Sequence, residues 1–181
     1  MSIALNIKEL TRSYIDQENW YVLYTRPNFE KIIDKRLKEH GFNSYLPLQK
    51  ELRQWNDRKV WIETPLFKSY IFLKTSIRKK DLVFKITGIL NYVRFGSQLP
   101  IISEQEIDRI KQLCLYQGKI LIELENSRVG EEVEIREGPL AGLHGILTGV
   151  NDTKKVCIHI ESLNCFASVV IGSDSVSLKY N

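Results

Sequence analysis

The chain has 181 residues, 43% hydrophobic, 10% aromatic and 27% charged, enough apolar material for one medium core or two small ones and too much for a disordered protein. Its net charge of +4 hides an asymmetry: residues 1–113 hold 20 basic and 13 acidic positions, net +7, whereas residues 114–181 hold 6 and 9, net −3. Two modules of opposite character are expected. No run reaches the roughly 18 to 20 apolar residues of a membrane helix, and the N-terminus lacks the pattern of a signal peptide, so a cytoplasmic, non-membrane protein is expected.

Residues 1–19 carry scattered apolar positions without a clean period and are read as an N-terminal extension. Trp20 to Thr25, dominated by aromatic and aliphatic side chains, predicts a strand ended by Arg26-Pro27. From Asn28 the spacing predicts a helix, with Phe29, Ile32, Ile33 and Leu37 inside an arc of about 140° and Gly41 as its stop. Arg36 falls inside that arc, so it either snorkels along the core edge or contacts a ligand. Phe42 to Leu52 and Val60 to Leu66 read as strands of a hairpin with a basic tip, Arg53, Arg58 and Lys59, around the Asn56-Asp57 turn.

Ser69 to Lys74 predicts a further strand, Lys79 to Ile86 a short helix and Ile89 to Phe95 another strand. Ser103 followed by Glu106 reads as a capping box opening a helix with Ile107, Ile110, Leu113 and Cys114 on one side. Beyond residue 118, taken as the start of a connector over 118–128, five short strands are expected: Glu132 to Arg136, Leu143 to Val150, Lys155 to Glu161, Ala167 to Ile171 and Ser175 to Lys179. Such closely spaced strands suggest a small barrel.

Catalytic signatures are missing: there is no phosphate-cradling loop with its lysine, no nucleophile elbow and no metal-binding histidine pair. Cys114, Cys157 and Cys165 lack paired short spacings and read as small apolar fillers, and His40, His144 and His159 have no plausible co-ligands. No metal, no cofactor and no enzymatic activity are expected. The informative feature is that the first module's strands are apolar on both faces: Tyr70 and Phe72 oppose Ile71 and Leu73, and Trp20, Val22 and Tyr24 oppose Tyr21 and Leu23. The second face is covered either by the chain itself or by a partner, and nearby cations are compatible with a nucleic-acid backbone.

Three segments carry a family resemblance. Trp20-Tyr-Val-Leu-Tyr24, Pro65-Leu-Phe-Lys-Ser-Tyr-Ile-Phe72 and Tyr92-Val-Arg-Phe-Gly96 resemble the N-terminal domain of the NusG family of transcription elongation factors, and Gly130 to Leu147 resembles the KOW motif of its C-terminal barrel. The resemblance implies an α+β protein: an N-terminal NusG-type domain over 20–117 with an antiparallel sheet flanked by helices, a linker over 118–128 and an SH3-like KOW β-barrel over 129–181. It implies a monomeric antitermination factor docking on the clamp helices of RNA polymerase through Tyr24, Phe67, Tyr70 and Phe72.

In the RfaH branch the matching cations touch the non-template DNA strand, which points to Arg26, Arg36, Arg53 and Arg58. Gly138, Pro139, Gly142 and Gly145 would shape the KOW turn, with Leu140 and Leu143 available for packing or partner contact, and the barrel would recruit a second protein, the ribosome or a regulator. Those glycines and the proline favour a barrel over the helical hairpin that RfaH can form. Lys68-Ser69 stands where general NusG proteins usually have Pro-Gly, and the sequence is more similar to the UpxY-like antiterminators of capsular polysaccharide operons. A housekeeping NusG and a KOW-containing ribosome- or RNA-associated protein are the alternatives.

Overall fold

A computed structural model describes residues 13–55, 57–124, 130–148, 154–171 and 176–178. They form two compact units, one drawn from Met1–Leu46 and Phe67–Glu104 and the other from Pro47–Leu66 and Gln105–Asn181. The hairpin expected between the second and third strands of the first module is thus assigned to the second unit.

The first unit is built on a four-stranded antiparallel sheet of order β2-β5-β1-β6, with β1 Glu18–Thr25, β2 Asn43–Tyr45, β5 Tyr70–Ser76 and β6 Ile89–Tyr92. Leu23 pairs with Ile71 and Tyr24 with Tyr70, which fixes the faces. Tyr21, Leu23, Ile71 and Leu73 line the face that carries helix α1, Glu30–Glu39. The Ser44 hydroxyl, paired in register with Leu73, donates to Asp34 Oδ1 of this helix at 2.7 Å.

Helix α1 ends as its sequence requires, with Gly41 left-handed at φ 78° and with Gly41 N–H donating to Lys38 O and Phe42 N–H to Leu37 O. Its buried stripe is narrower than expected. Ile33 and Leu37 are in the core, together with Glu30, but Phe29 and Ile32 are exposed. The true stripe is therefore rotated toward Glu30, and Arg36 stands on the solvent side of it. The short helix expected over 79–86 is a 3₁₀ segment, Lys80–Lys85, which buries Val83.

In the second unit, β3 Leu48–Trp55 and β4 Arg58–Pro65 form a separate two-stranded ribbon in register from Leu48↔Pro65 to Trp55↔Arg58. Leu66 N–H donates to Pro47 O at 2.9 Å across its base, and buried Gln49 donates through Nε2 to Gly118 O at 2.6 Å. Helix α2, Glu104–Cys114, buries Ile107, Ile110 and Leu113, while Glu106 Oε1 accepts from Ser162 N–H at 3.0 Å.

The remaining strands form a six-stranded antiparallel sheet of order β12-β8-β9-β10-β11-β7. They are β7 Ile120–Glu123, β8 Glu131–Ile135, β9 His144–Leu147, β10 Lys154–Ile160, β11 Cys165–Ile171 and β12 Val176–Leu178. The connector expected over 118–128 is therefore partly sheet: Ile120 and Leu121 pair with Val169 and Ser168 of β11, which gives its apolar run a structural purpose. Val156, Ile158 and Ile160 are buried on one face with Ala167 and Val169.

Between β8 and β9 the chain turns through Gly138 and Gly142, both at positive φ, with Gly142 N–H donating to Ile135 O at 2.8 Å. Leu140 and Leu143 are buried beneath this turn, so they serve packing. Gly145 is needed for a different reason. A Cβ there would lie 2.6 Å from Val156 Cγ1 and 2.8 Å from the Cys157 carbonyl oxygen.

Candidate interaction surfaces

The four aromatics singled out in the first module lie on one sheet face and its adjoining loop, but they are not alike. Tyr24 is 40% exposed and Tyr70 half-buried, whereas Phe67 and Phe72 are 3% and 0% exposed. Tyr24 meets Tyr70 edge-on, their ring centres 5.9 Å apart and planes at 71°. Phe72 meets Phe67 in a similar way at 5.9 Å and 69°, and Tyr45 at 6.2 Å. The phenylalanines thus form a floor that cannot itself be touched, and the tyrosines form its accessible rim. The apolar character of both strand faces is explained mostly by burial, since Trp20 and Val22 are also in the core.

The loop carrying Phe67 is held by a latch that the sequence did not reveal. Ser69 sits at φ 64°, a left-handed conformation that costs an L-residue roughly 1–2 kcal/mol and that glycine adopts freely. Its N–H donates to Glu30 Oε1 at 2.7 Å, in a buried setting. Its carbonyl accepts from Thr25 N–H at 2.8 Å and from Thr25 Oγ1 at 3.2 Å. The end of β1, the first turn of α1 and the start of β5 are therefore tied at one point, within two residues of both Phe67 and Tyr70.

All four arginines are exposed. In the first unit, Arg26 follows β1 and its N–H donates to Gly88 O at 2.9 Å; Arg36 lies on the solvent side of α1, on the same turns as exposed Phe29 and Ile32. In the second unit, Arg53 and Arg58 share one face of the β3-β4 ribbon, and Arg53 is paired with Glu51 at 3.1 Å. Sequence reasoning missed Trp55 on that same face, although its spacing of two from Arg53 contained the signal.

Among the described residues no group of three or more His, Cys, Asp or Glu could hold a metal ion, and no helix is long and apolar enough to cross a membrane. Cys157 and Cys165 are buried and Cys114 is half-buried. Burial, with the nearby Glu106 carboxylate in second place, pushes the Cys165 thiol up to about 12. Desolvation likewise raises Tyr92, whose hydroxyl donates to Lys80 O at 2.8 Å, above the ordinary phenol range, and Asp81 adds to the effect.

These elements define an α+β protein of antiparallel sheets and few helices. Residues 18–111, more than half of the chain, match the family model for the transcription termination factor nusG. The chain belongs to the NusG family of transcription termination and antitermination factors. It is 24% identical over 155 residues to the transcription termination/antitermination protein NusG of Borreliella burgdorferi, covering 75% of this chain and 84% of that protein. To the NusG of Neisseria meningitidis serogroup B it is 25% identical over 149 residues, covering 74% and 82%. In fold it aligns with Thermotoga maritima NusG at a TM-score of 0.55 and 19% identity, over 91% of this chain and 98% of that one.

Proposed function

We propose that this protein is a non-enzymatic, cytoplasmic antitermination factor that rides on RNA polymerase as a monomer, its first unit docked on the polymerase clamp helices and its arginines following the non-template DNA strand. The observation that carries this reading is the exposed Tyr24-Tyr70 rim over the buried Phe67-Phe72 floor. A rigid aromatic rim can give up its water without reordering, which is how tyrosines become dominant contacts at protein interfaces. Tyr24 and Tyr70 would make the contact, while Phe67 and Phe72 would hold their shape. Arg26, Arg36, Arg53 and Arg58 are the proposed DNA contacts, their common exposure being what supports the assignment.

The strands β8 to β12 are read as the KOW barrel, with Gly138, Pro139 and Gly142 forming its turn and Gly145, expected in that turn, lying instead in the strand that follows it, and the net −3 of residues 114–181 suits recruitment of a second protein, the ribosome or a regulator. Service to one long operon of the capsular polysaccharide type, as in the UpxY-like branch, is supported only by the Lys68-Ser69 departure. A housekeeping NusG fits equally well, because the curated relatives are termination/antitermination proteins named NusG.

Polymerase binding tests the docking assignment. The Tyr24→Ala/Tyr70→Ala variant should lose binding to the clamp helices by 30-fold or more, since a central aromatic contact is worth about 2 kcal/mol. It should keep its fold, because neither side chain is in the core. Undiminished binding by the folded variant refutes the assignment.

A further inference from the structure

The β3-β4 ribbon carries aromatic side chains that its own packing does not account for. Trp55 is 63% exposed at the last register pair, where a strand gains little from an indole left in water. The register sets its neighbours. Residues paired across the ribbon share a face, and so do residues two apart along a strand, so Trp55 lies with Arg58 directly opposite and Arg53 two positions back. Side chains so placed originate about 5 to 8 Å apart, within easy reach of one ligand.

The second exposed indole, Trp61, pairs with Leu52 and lies on the opposite face, away from both arginines. The two faces therefore differ in chemistry. One joins an indole to two guanidinium groups, against the single carboxylate of Glu51, which pairs with Arg53. The other joins the Trp61-Leu52 pair to Lys50, Glu63, Gln54 and Lys59.

An exposed indole flanked by guanidinium groups complements a ligand that offers a flat π surface between two negative charges. An unpaired nucleotide in a single strand is such a ligand: its base stacks, and the phosphates on either side pair with the cations. A duplex fits less well, because its bases are already stacked and only its phosphates are on offer. We infer that Trp55 is a stacking platform for an unpaired nucleobase of single-stranded nucleic acid, with Arg53 and Arg58 holding the adjacent phosphates. The inference rests on reading the ribbon as nucleic-acid-facing, and it adds what Arg53 and Arg58 alone do not supply, a contact with the base.

The test uses the full chain with ten-nucleotide oligo(dT) and oligo(U), an abasic ten-mer of equal charge and a ten-base-pair duplex, read by anisotropy and by tryptophan emission. Trp20 is buried, so quenching reports Trp55 or Trp61. The single strands should quench emission in the wild type and in W61F but not in W55F. W55A should also bind them about tenfold more weakly with its salt dependence unchanged, and the wild type should bind the abasic strand as weakly as W55A binds the normal one. Quenching by either oligomer supports the platform, and a preference between them identifies the strand as DNA or RNA.

Equal binding by W55A and the wild type overturns the inference, as does quenching that persists in W55F or equal affinity of the wild type for abasic and normal strands. The R53Q/R58Q variant separates this failure from that of the reading beneath it. If R53Q/R58Q lowers the salt dependence while W55A changes nothing, stacking is refuted and the nucleic-acid contact stands. If neither variant changes binding, or the wild type binds no oligomer at low salt, both fall.

Discussion

Removing the Glu30 carboxylate should loosen the first unit at one point, and the size of the effect follows from the geometry. Glu30 is buried, and its Oε1 accepts the Ser69 N–H at 2.7 Å from 39 residues away in sequence. A hydrogen bond to a charged acceptor contributes about 1.5–3 kcal/mol, and a buried N–H left without a partner costs about 1–3 kcal/mol. Some of this is offset, because the folded protein no longer buries a carboxylate. Glu30→Ala should therefore lower stability by about 2 kcal/mol. Glu30→Gln, which keeps a carbonyl acceptor but not the charge, should lose about half as much.

Urea unfolding followed by Trp20 emission, in a chain whose Trp55 and Trp61 are replaced by Phe, reads this unit directly, because Trp20 is in the first strand. Ser69→Gly supplies the control. It relieves a left-handed serine, so it should be neutral or stabilising by up to about 1 kcal/mol, and it should recover part of the loss in Glu30→Ala. A Glu30→Ala chain within about 0.5 kcal/mol of its parent would show that the latch does not hold the loop, and the account of how Phe67 and Tyr70 are positioned would fail with it.

The element sequence was largely legible because each piece carried a local signal. The two-residue alternation of Val156, Ile158 and Ile160 gave β10, and Gly41 gave the end of α1, with the hydrogen bonds of a glycine cap. The helix face was harder. Phe29 and Ile32 are apolar and in period, yet exposed, because the core accepted the flank of α1 that also carries Glu30. A pattern of hydrophobicity cannot anticipate a buried carboxylate whose partner is a backbone N–H in another element. The same limit applied to the aromatic set: alternation placed Tyr70 and Phe72 on one face, but only the fold separates a floor at Phe72 from a rim at Tyr24. It applied again to β7, where an apolar run inside an expected linker proved to be an added strand on β11.

Three further results should follow from the second unit. Gly145→Ala should destabilise it by about 1–3 kcal/mol, because its methyl group would meet the Cys157 backbone at 2.8 Å, where no side chain can rotate away; a loss below about 0.5 kcal/mol in urea unfolding would contradict that contact. Cys165 makes the second prediction. Its thiol is buried and its folded pKa is about 12, against about 9 when unfolded, so the folded chain retains a proton that the unfolded chain releases. Its contribution is complete below pH 9 and is lost as pH rises toward 12, at up to about 1.4 kcal/mol per pH unit. Buried tyrosines act in the same direction at higher pH, so Cys165→Ala isolates the thiol by comparison: between pH 9 and 10.5 its stability should fall less steeply than the parent's. Thiolate is also the reactive species, so a thiol reagent at pH 8 should modify half-buried Cys114 in the folded protein and reach Cys157 and Cys165 only on unfolding. Parallel stability curves for the two chains, or rapid modification of all three thiols without denaturant, would mean that Cys165 is not held in the protein's interior.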